Sequence, residues 1–196
     1  MDFFLVVLSY FIGNISFAYL ITKYKMKEDI RNFGSGNAGT TNVLRVLGKK
    51  YAALVLLGDV LKGAVPVILA NAFAGMDITV MLCGLAVIAG HNWPALMGFR
   101  GGKGIATSIG VFLVYDPFVA SVCLGLGIVL IVITRYVSLG SISGMALLPV
   151  VTYLAYGADL RLVFALIISV FSVYRHRSNI VRLIQGNENK LGQKKI

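Results

Sequence analysis

The chain is expected to be an all-α integral membrane protein, a compact bundle of about seven transmembrane helices of which two are short. Three observations predict this. Of its 196 residues 58% are hydrophobic and the mean hydropathy is +0.84, against a usual apolar share of roughly 45–50%. The apolar runs are almost free of charge, and the segments between them alternate in kind. One kind is tiny and carries an aspartate: Gly75-Met76-Asp77, Tyr115-Asp116-Pro117 and Gly157 through Arg161. The other is longer, polar and basic, and 16 of the 18 Lys and Arg residues fall there.

The runs are cut at residues 3–22, 52–74, 78–97, 104–115, 118–134, 145–156 and 162–174. An upright span needs about 20 apolar residues, so runs 104–115 and 145–156 are too short. Either the polar cassettes before them extend them or they penetrate only partly, which leaves five or six spans as the alternative. The first run is read as a retained span rather than a cleaved signal, because no basic segment precedes it and no small-residue cleavage site follows. The basic connections should face the cytoplasm. An odd number of spans then puts the N-terminus outside and the C-terminus inside, in agreement with Asp2 before the first span and Lys23, Lys25 and Lys27 after it. No fixed-period repeat and no long linker divides the chain, so residues 1–196 are expected to form a single polytopic membrane domain.

A net charge of +10 would suit nucleic acid, but here it lies in membrane-adjacent loops, where it sets topology and attracts anionic headgroups. No nucleic-acid partner is expected. Cys83 and Cys123 lie inside apolar runs without metal-ligand or disulfide spacing, and there are only two histidines, His91 and His176. No metal and no cofactor are expected.

The chemistry lies in four polar cassettes, all on the basic side. The first runs from Phe33 to Arg45 and packs three glycines, two asparagines, two threonines and a serine into Gly34–Asn42. Gly34, Gly36 and Gly39 let the backbone turn and expose its N–H groups, Ser35, Asn37, Thr40 and Thr41 add side-chain donors, and the helical pattern begins after Asn37 or Thr40. Thr41 and Arg45, four residues apart, share one helix face. A glycine-rich loop opening into a helix and backed by an arginine describes an anion site. The second, Gly98 through Thr107, contains Gly101-Gly102-Lys103-Gly104 leading into an apolar helix. It has the logic of a phosphate loop without Walker A spacing. Upstream, His91 and Asn92 sit near the end of the third span, where His91 can pack or meet a ligand.

The third, Ser138 through Gly144, can offer hydroxyls such as that of Ser141 to a ligand or can allow close helix packing. The fourth runs from Tyr174 to Glu188; Ile180, Leu183 and Ile184 form one helical stripe, as in a short helix on the membrane surface. Asp59 and Lys62 lie one turn apart within the second span. Lys62 is eleven residues beyond Tyr51, about 17 Å along a helix. A charge at that depth must be paired or line a polar cavity. The two form either a structural ion pair or a cavity-lining pair that supports the cytoplasmic site.

These cassettes, in this order, resemble those of the bacterial acylphosphate:glycerol-3-phosphate acyltransferases (the PlsY type). The resemblance runs from Gly13-Asn14-Ile15-Ser16 through Gly186-Asn187-Glu188-Asn189-Lys190. It rests on Gly-Ser-Gly-Asn-Ala-Gly-Thr-Thr-Asn with Arg45, on Gly-His-Asn-Trp-Pro followed by Gly-Gly-Lys-Gly-Ile-Ala-Thr, and on His-Arg-x-Asn-Ile-x-Arg-Leu with Gly-x-Glu. It implies transfer of a fatty acyl group from acyl phosphate to the 1-hydroxyl of glycerol 3-phosphate, giving lysophosphatidic acid at the inner face of the bacterial cytoplasmic membrane. It further implies catalytic roles for Ser35, Arg45, His176 and Asn179, glycerol-3-phosphate binding by Gly101 through Gly104 with Lys103, and a structural role for Glu188. The partners expected are the two substrates and membrane lipids, and the expected state is a monomer.

The residues fit that chemistry on their own terms. Two phosphates must be held together at a membrane surface, and backbone N–H groups with Arg45 and Lys103 can neutralise them without a metal. Acyl phosphate is an activated mixed anhydride, so orientation and electrostatics can supply much of the rate. Neither histidine has an aspartate four residues on, so the hydroxyl proton must go to His176, to a polar relay or to the donor's phosphate, the last being favoured. Nothing near Ser35 would activate it as a nucleophile, which favours a positioning role. The rival class is a small permease for organic phosphates, for which broken helices and a buried Asp59–Lys62 pair would be suitable. It lacks an inverted repeat and has polar cassettes on one side only.

Overall fold

The computed structural model describes residues 1–74 and 76–192. Gly75 of the first short turn, and residues 193–196 at the end of the basic tail, lie outside the described residues. All regular structure among the described residues is helical. The helices are α1 (Asp2–Asn14), α2 (Phe17–Met26), α3 (Thr40–Leu47), α4 (Lys49–Phe73), α5 (Asp77–Asn92), α6 (Ile105–Tyr115), α7 (Pro117–Thr134), α8 (Val137–Tyr156), α9 (Leu160–Arg175) and α10 (Arg177–Ile184), with short 3-10 turns at Ile30–Asn32 and Ala95–Met97. Among the described residues five stretches are long and apolar enough to cross a membrane: Asp2–Met26, Lys49–Phe73, Asp77–Met97, Pro117–Thr134 and Val137–Tyr156. Helix α6 is apolar but shorter.

Two run boundaries differ from expectation, each for a local reason. The first run is two helices: at Ile15-Ser16 the backbone is extended, and the Ser16 hydroxyl accepts the Tyr19 N–H to start α2. The run expected at 145–156 starts eight residues earlier, at Val137, because the serine and glycine cassette before it is itself helical. Two of the three aspartates of the small turns cap helices, while Asp77 is the first residue of α5. Asp116 accepts from Val119 N at 3.0 Å, and Asp159 accepts from Arg161 N at 2.9 Å, each satisfying an N–H that the first turn leaves without a partner.

The chain divides into two units, Met1–Tyr115 and Asp116 onward. In the first, α1 packs on α5 and α4 on α6. Helices α1 and α5 run in the same direction: Thr79 donates to Asp2 at 3.0 Å at one end, and Leu96 N donates to Asn14 at 3.1 Å at the other. Where they cross, a Cβ on Gly13 would lie 3.0 Å from Gly90 Cα, so the backbones touch directly. Lipid offers no hydrophobic drive for helix association, and such close van der Waals contact replaces it. In the second unit α8 packs on α7 and α9. Outward faces carry large apolar side chains such as Leu57, Leu61 and Ile68 on α4, and Val132 and Ile133 on α7, as a lipid-facing surface requires.

Candidate active site

The first cassette forms a tight loop around one side chain. Gly34 and Gly36 have φ of 59° and 70°, values that glycine adopts without strain, and they let residues 33–39 curl over the start of α3. Asn42, 1% exposed, fills the loop's centre. Its Oδ1 accepts from Ser35 N at 2.9 Å, and its Nδ2 reaches the carbonyls of Phe33 (3.0 Å), Asn37 (3.1 Å) and Ile30 (3.3 Å). Ser35 is thereby held at the exposed tip. Asn37 and Thr41 are half-buried, and Arg45 is exposed one turn past Thr41.

The second cassette is pinned from behind. Tyr10 of α1 donates its hydroxyl to Trp93 O at 2.8 Å and accepts from Ala95 N at 3.2 Å. Gly102 N donates to His91 O at 3.1 Å. Gly101, Gly102 and Gly104 are buried and Lys103 is half-buried. A Cβ on Gly102 would strike His91 Nε2 and come within 2.8 Å of Ala38 O. That glycine is therefore where the two glycine-rich cassettes touch. At Gly104, φ 82°, a Cβ would meet Asn92 Oδ1 at 2.7 Å, and the Asn92 amide is fully buried with no hydrogen-bond partner for either end.

Arg31 joins the same two cassettes. Its guanidinium holds Asp29 at 2.6 Å and donates to Met97 O at 3.0 Å and Arg100 O at 3.3 Å. The hydrogen bond from Arg31 keeps the Asp29 carboxyl below its usual range, and the same contact raises Arg31. Sequence reasoning missed both Arg31 and Asn42 as organising residues. Asn42 ends the quoted motif but looked like one more polar loop residue, and Arg31 has no local signal because its carbonyl partners lie more than sixty residues away.

The second unit holds the remaining predicted residues. His176 joins α9 to α10 and is 3% exposed; its Nδ1 lies 2.8 Å from Ser172 O. That contact requires Nδ1–H, so the neutral ring carries its lone pair on Nε2. Asn179, 4% exposed, donates to Glu188 Oε1 at 2.8 Å; Ser138 donates to the same oxygen at 3.0 Å, and Arg182 Nε to Oε2 at 2.8 Å. Burial would raise the Glu188 carboxyl, but the donors from Arg182, Asn179 and Ser138 outweigh it and hold the group below its usual value. The third cassette divides its work: Ser138 bonds Glu188, while Gly140 and Gly144 lie against the backbone of α7. Ser141, half-buried, lies one turn beyond Ser138.

Asp59 and Lys62, buried on α4, form an ion pair at 2.8 Å. No group of three or more His, Cys, Asp or Glu side chains is gathered for a metal among the described residues.

The family profile described as glycerol-3-phosphate acyltransferase matches residues 3–186. A glycerol-3-phosphate acyltransferase of Thermoanaerobacter pseudethanolicus is 48% identical over 188 residues, covering 96% of this chain and 94% of that protein. The one from Alkaliphilus metalliredigens is 49% identical, covering 96% and 95%. The fold is similar to the crystal structure of PlsY (YgiH), an integral membrane glycerol 3-phosphate acyltransferase, in its glycerol 3-phosphate form. There the TM-score is 0.92 with 40% identity, over 97% of this chain and 96% of the other. The lysophosphatidic acid form gives 0.88 with 38% identity, over 97% and 95%. With helices that can cross a membrane, two interlocked glycine-rich cassettes and relatives alike over nearly their whole length, this chain belongs to the glycerol-3-phosphate acyltransferase family.

Proposed function

We propose that the chain transfers a fatty acyl group from acyl phosphate to the 1-hydroxyl of glycerol 3-phosphate, yielding lysophosphatidic acid and phosphate. It works as a monomer in the bacterial cytoplasmic membrane, with the polar cassettes on the cytoplasmic side and the N-terminus outside. The observation that carries the reading is the contact of Gly102 with Ala38, which sets the Ser35–Arg45 cassette beside the Lys103 loop. Two phosphates need two cationic, N–H-rich cradles close together, and these cassettes supply both.

The glycerol hydroxyl oxygen attacks the acyl carbonyl carbon. The bond from that carbon to the phosphate oxygen then breaks, and the hydroxyl proton leaves on the released phosphate. Lys103 and the Gly101–Gly104 backbone hold glycerol 3-phosphate. Arg45, with the N–H groups around Gly34, Gly36 and Asn37, holds the acyl phosphate and stabilises charge on the leaving group. Ser35 and Thr41 position the donor, Ser141 adds a hydroxyl contact, and His176 and Asn179 orient the attacking alcohol, with Glu188 fixing Asn179. The activated donor makes an acyl-enzyme unnecessary.

The test is to give purified protein palmitoyl phosphate and glycerol 3-phosphate in the presence of a chelator, with palmitoyl-CoA in parallel. The expected result is lysophosphatidic acid and phosphate in equal amounts from the first donor. Product from the thioester alone would overturn the donor assignment.

A further inference from the structure

One buried histidine joins the buried charges of α4 to the Gly101–Gly104 loop. Lys62 Nζ donates at 2.6 Å to Ile15 O, the carbonyl exposed where α1 breaks from α2, and pairs with Asp59 Oδ1 at 2.8 Å. The same Asp59 oxygen lies 3.7 Å from His91 Nδ1. The other end of that imidazole, Nε2, occupies the place a Cβ of Gly102 would take, and His91 O accepts the Gly102 N–H at 3.1 Å. Asp59, Lys62 and His91 are 2%, 4% and 7% exposed. An ion pair serving only its own helix would need neither the third member nor the foreign carbonyl.

We propose that His91 is a positioning residue for the glycerol-3-phosphate cradle: the Asp59–Lys62 pair fixes its ring so that Nε2 props Gly102 and thereby sets where Lys103 reaches. This rests on the reading of Gly101–Gly104 with Lys103 as the glycerol-3-phosphate site. A 3.7 Å approach is too long for a direct hydrogen bond, so Asp59 acts by electrostatic orientation. It favours Nδ1–H toward the carboxylate and opposes a ring flip that would withdraw the tip from Gly102. With no Cβ at Gly102, the ring and the Ala38 carbonyl hold that residue between them, and a shift of the ring passes to the adjacent lysine. Small misplacements of a binding group are costly; about 1 Å can cost up to a hundredfold in rate.

Four variants test the proposal. His91→Asn keeps the arm facing Asp59 but lacks the tip, whereas His91→Gln restores the reach of Nε2. The double variant Asp59→Leu/Lys62→Met removes both charges together, which proteins tolerate far better than loss of one partner. Lys103→Ala is the loop control. KM for each substrate, kcat, thermal unfolding and amide hydrogen exchange of residues 101–104 are measured for each. The expected result is a KM for glycerol 3-phosphate raised about tenfold or more in His91→Asn and in the double variant, with the acyl-phosphate KM within about twofold and His91→Gln within about threefold of the parent. Loop amides should exchange faster in the first two, with thermal midpoints close to the parent's. Parent-like KM and exchange in either His91→Asn or the double variant would overturn the proposal. Should Lys103→Ala leave the glycerol-3-phosphate KM unmoved, the substrate assignment fails instead. Loop exchange then decides the propping role alone: faster exchange in His91→Asn upholds it, and unchanged exchange overturns it.

Discussion

Replacing Asn42 by alanine or aspartate tests whether the first cassette is built from within. Its Nδ2 carries two hydrogens and faces three carbonyls, of which Phe33 and Asn37 are nearest at 3.0 and 3.1 Å, while Oδ1 accepts from Ser35 N. Water can replace that acceptor for Ser35, which is at the exposed tip, so two bonds dominate the loss. At about 1–3 kcal/mol for each polar group left without its partner, alanine should cost the loop about 2–6 kcal/mol. At about 1.4 kcal/mol per decade this is a fall in kcat/KM of about thirtyfold to ten-thousandfold, if the loop must be formed for reaction. Aspartate, nearly isosteric, still accepts from Ser35 N but turns an oxygen toward carbonyl oxygens about 3 Å away, where the repulsion exceeds the loss of a bond. The expected order is therefore parent, then alanine, then aspartate. The assay is steady-state release of phosphate with both substrates varied, beside thermal unfolding in detergent. An aspartate variant more active than the alanine variant would refute the account of the loop.

Lys103→Ala should raise the KM for glycerol 3-phosphate more than that for acyl phosphate, by about ten- to a hundredfold in kcat/KM. Arg45→Lys should be far from conservative, since a point charge cannot replace a planar fork; the reverse substrate dependence for Lys103→Ala would show the assignment to be inverted. Glu188 has a depressed folded-state value, so the unfolded chain binds more protons as pH falls below 4.5, and the stability that the group contributes above that range is lost as pH drops through the lower folded value. Glu188→Gln should flatten that acid limb in thermal unfolding between about pH 3 and 6; parallel profiles for parent and variant would count against it. Cysteines placed by Ser35→Cys or Ser141→Cys should resist an impermeant thiol reagent in intact cells and react after lysis, because the native Cys83 and Cys123 are buried. Ready labelling from outside would reverse the orientation.

Composition and periodicity located the helices because lipid requires long uninterrupted apolar runs, and the glycine-rich cassettes were visible because few other contexts concentrate glycine, asparagine and threonine so tightly. The break at Ile15-Ser16 was not visible, since both residues are compatible with an apolar span and only the extended backbone at Ile15 reveals it. The extension of α8 back to Val137 was one of two alternatives that the sequence left open, because serine and glycine suit a loop as well as the close helix packing they make here. Arg31 and His91 depend on partners distant in the chain, Met97 and Arg100 for one and Asp59 for the other. No window of neighbouring residues contains that information. Asn42 was within the motif, but its weight comes from being buried with four partners around it.

Helix α6 has 11 residues, about 16 Å of rise, against a hydrocarbon layer of about 30 Å. In the orientation proposed above, with Tyr115 at the outer boundary, Gly104 at its other end lies well below the inner surface. The reaction would then take place within the hydrocarbon layer, roughly 14 Å below the depth where a lipid's head joins its tail. In the proposed reaction the two reactants would arrive by routes of different dimensionality: the long-chain donor sideways within the leaflet, and the small dianion from bulk water down a deep well. Neither needs to leave its own phase to meet the other. The product, now a lipid, would depart by the lateral route, so the well would empty for the next water-borne substrate without any apolar chain crossing an aqueous gap.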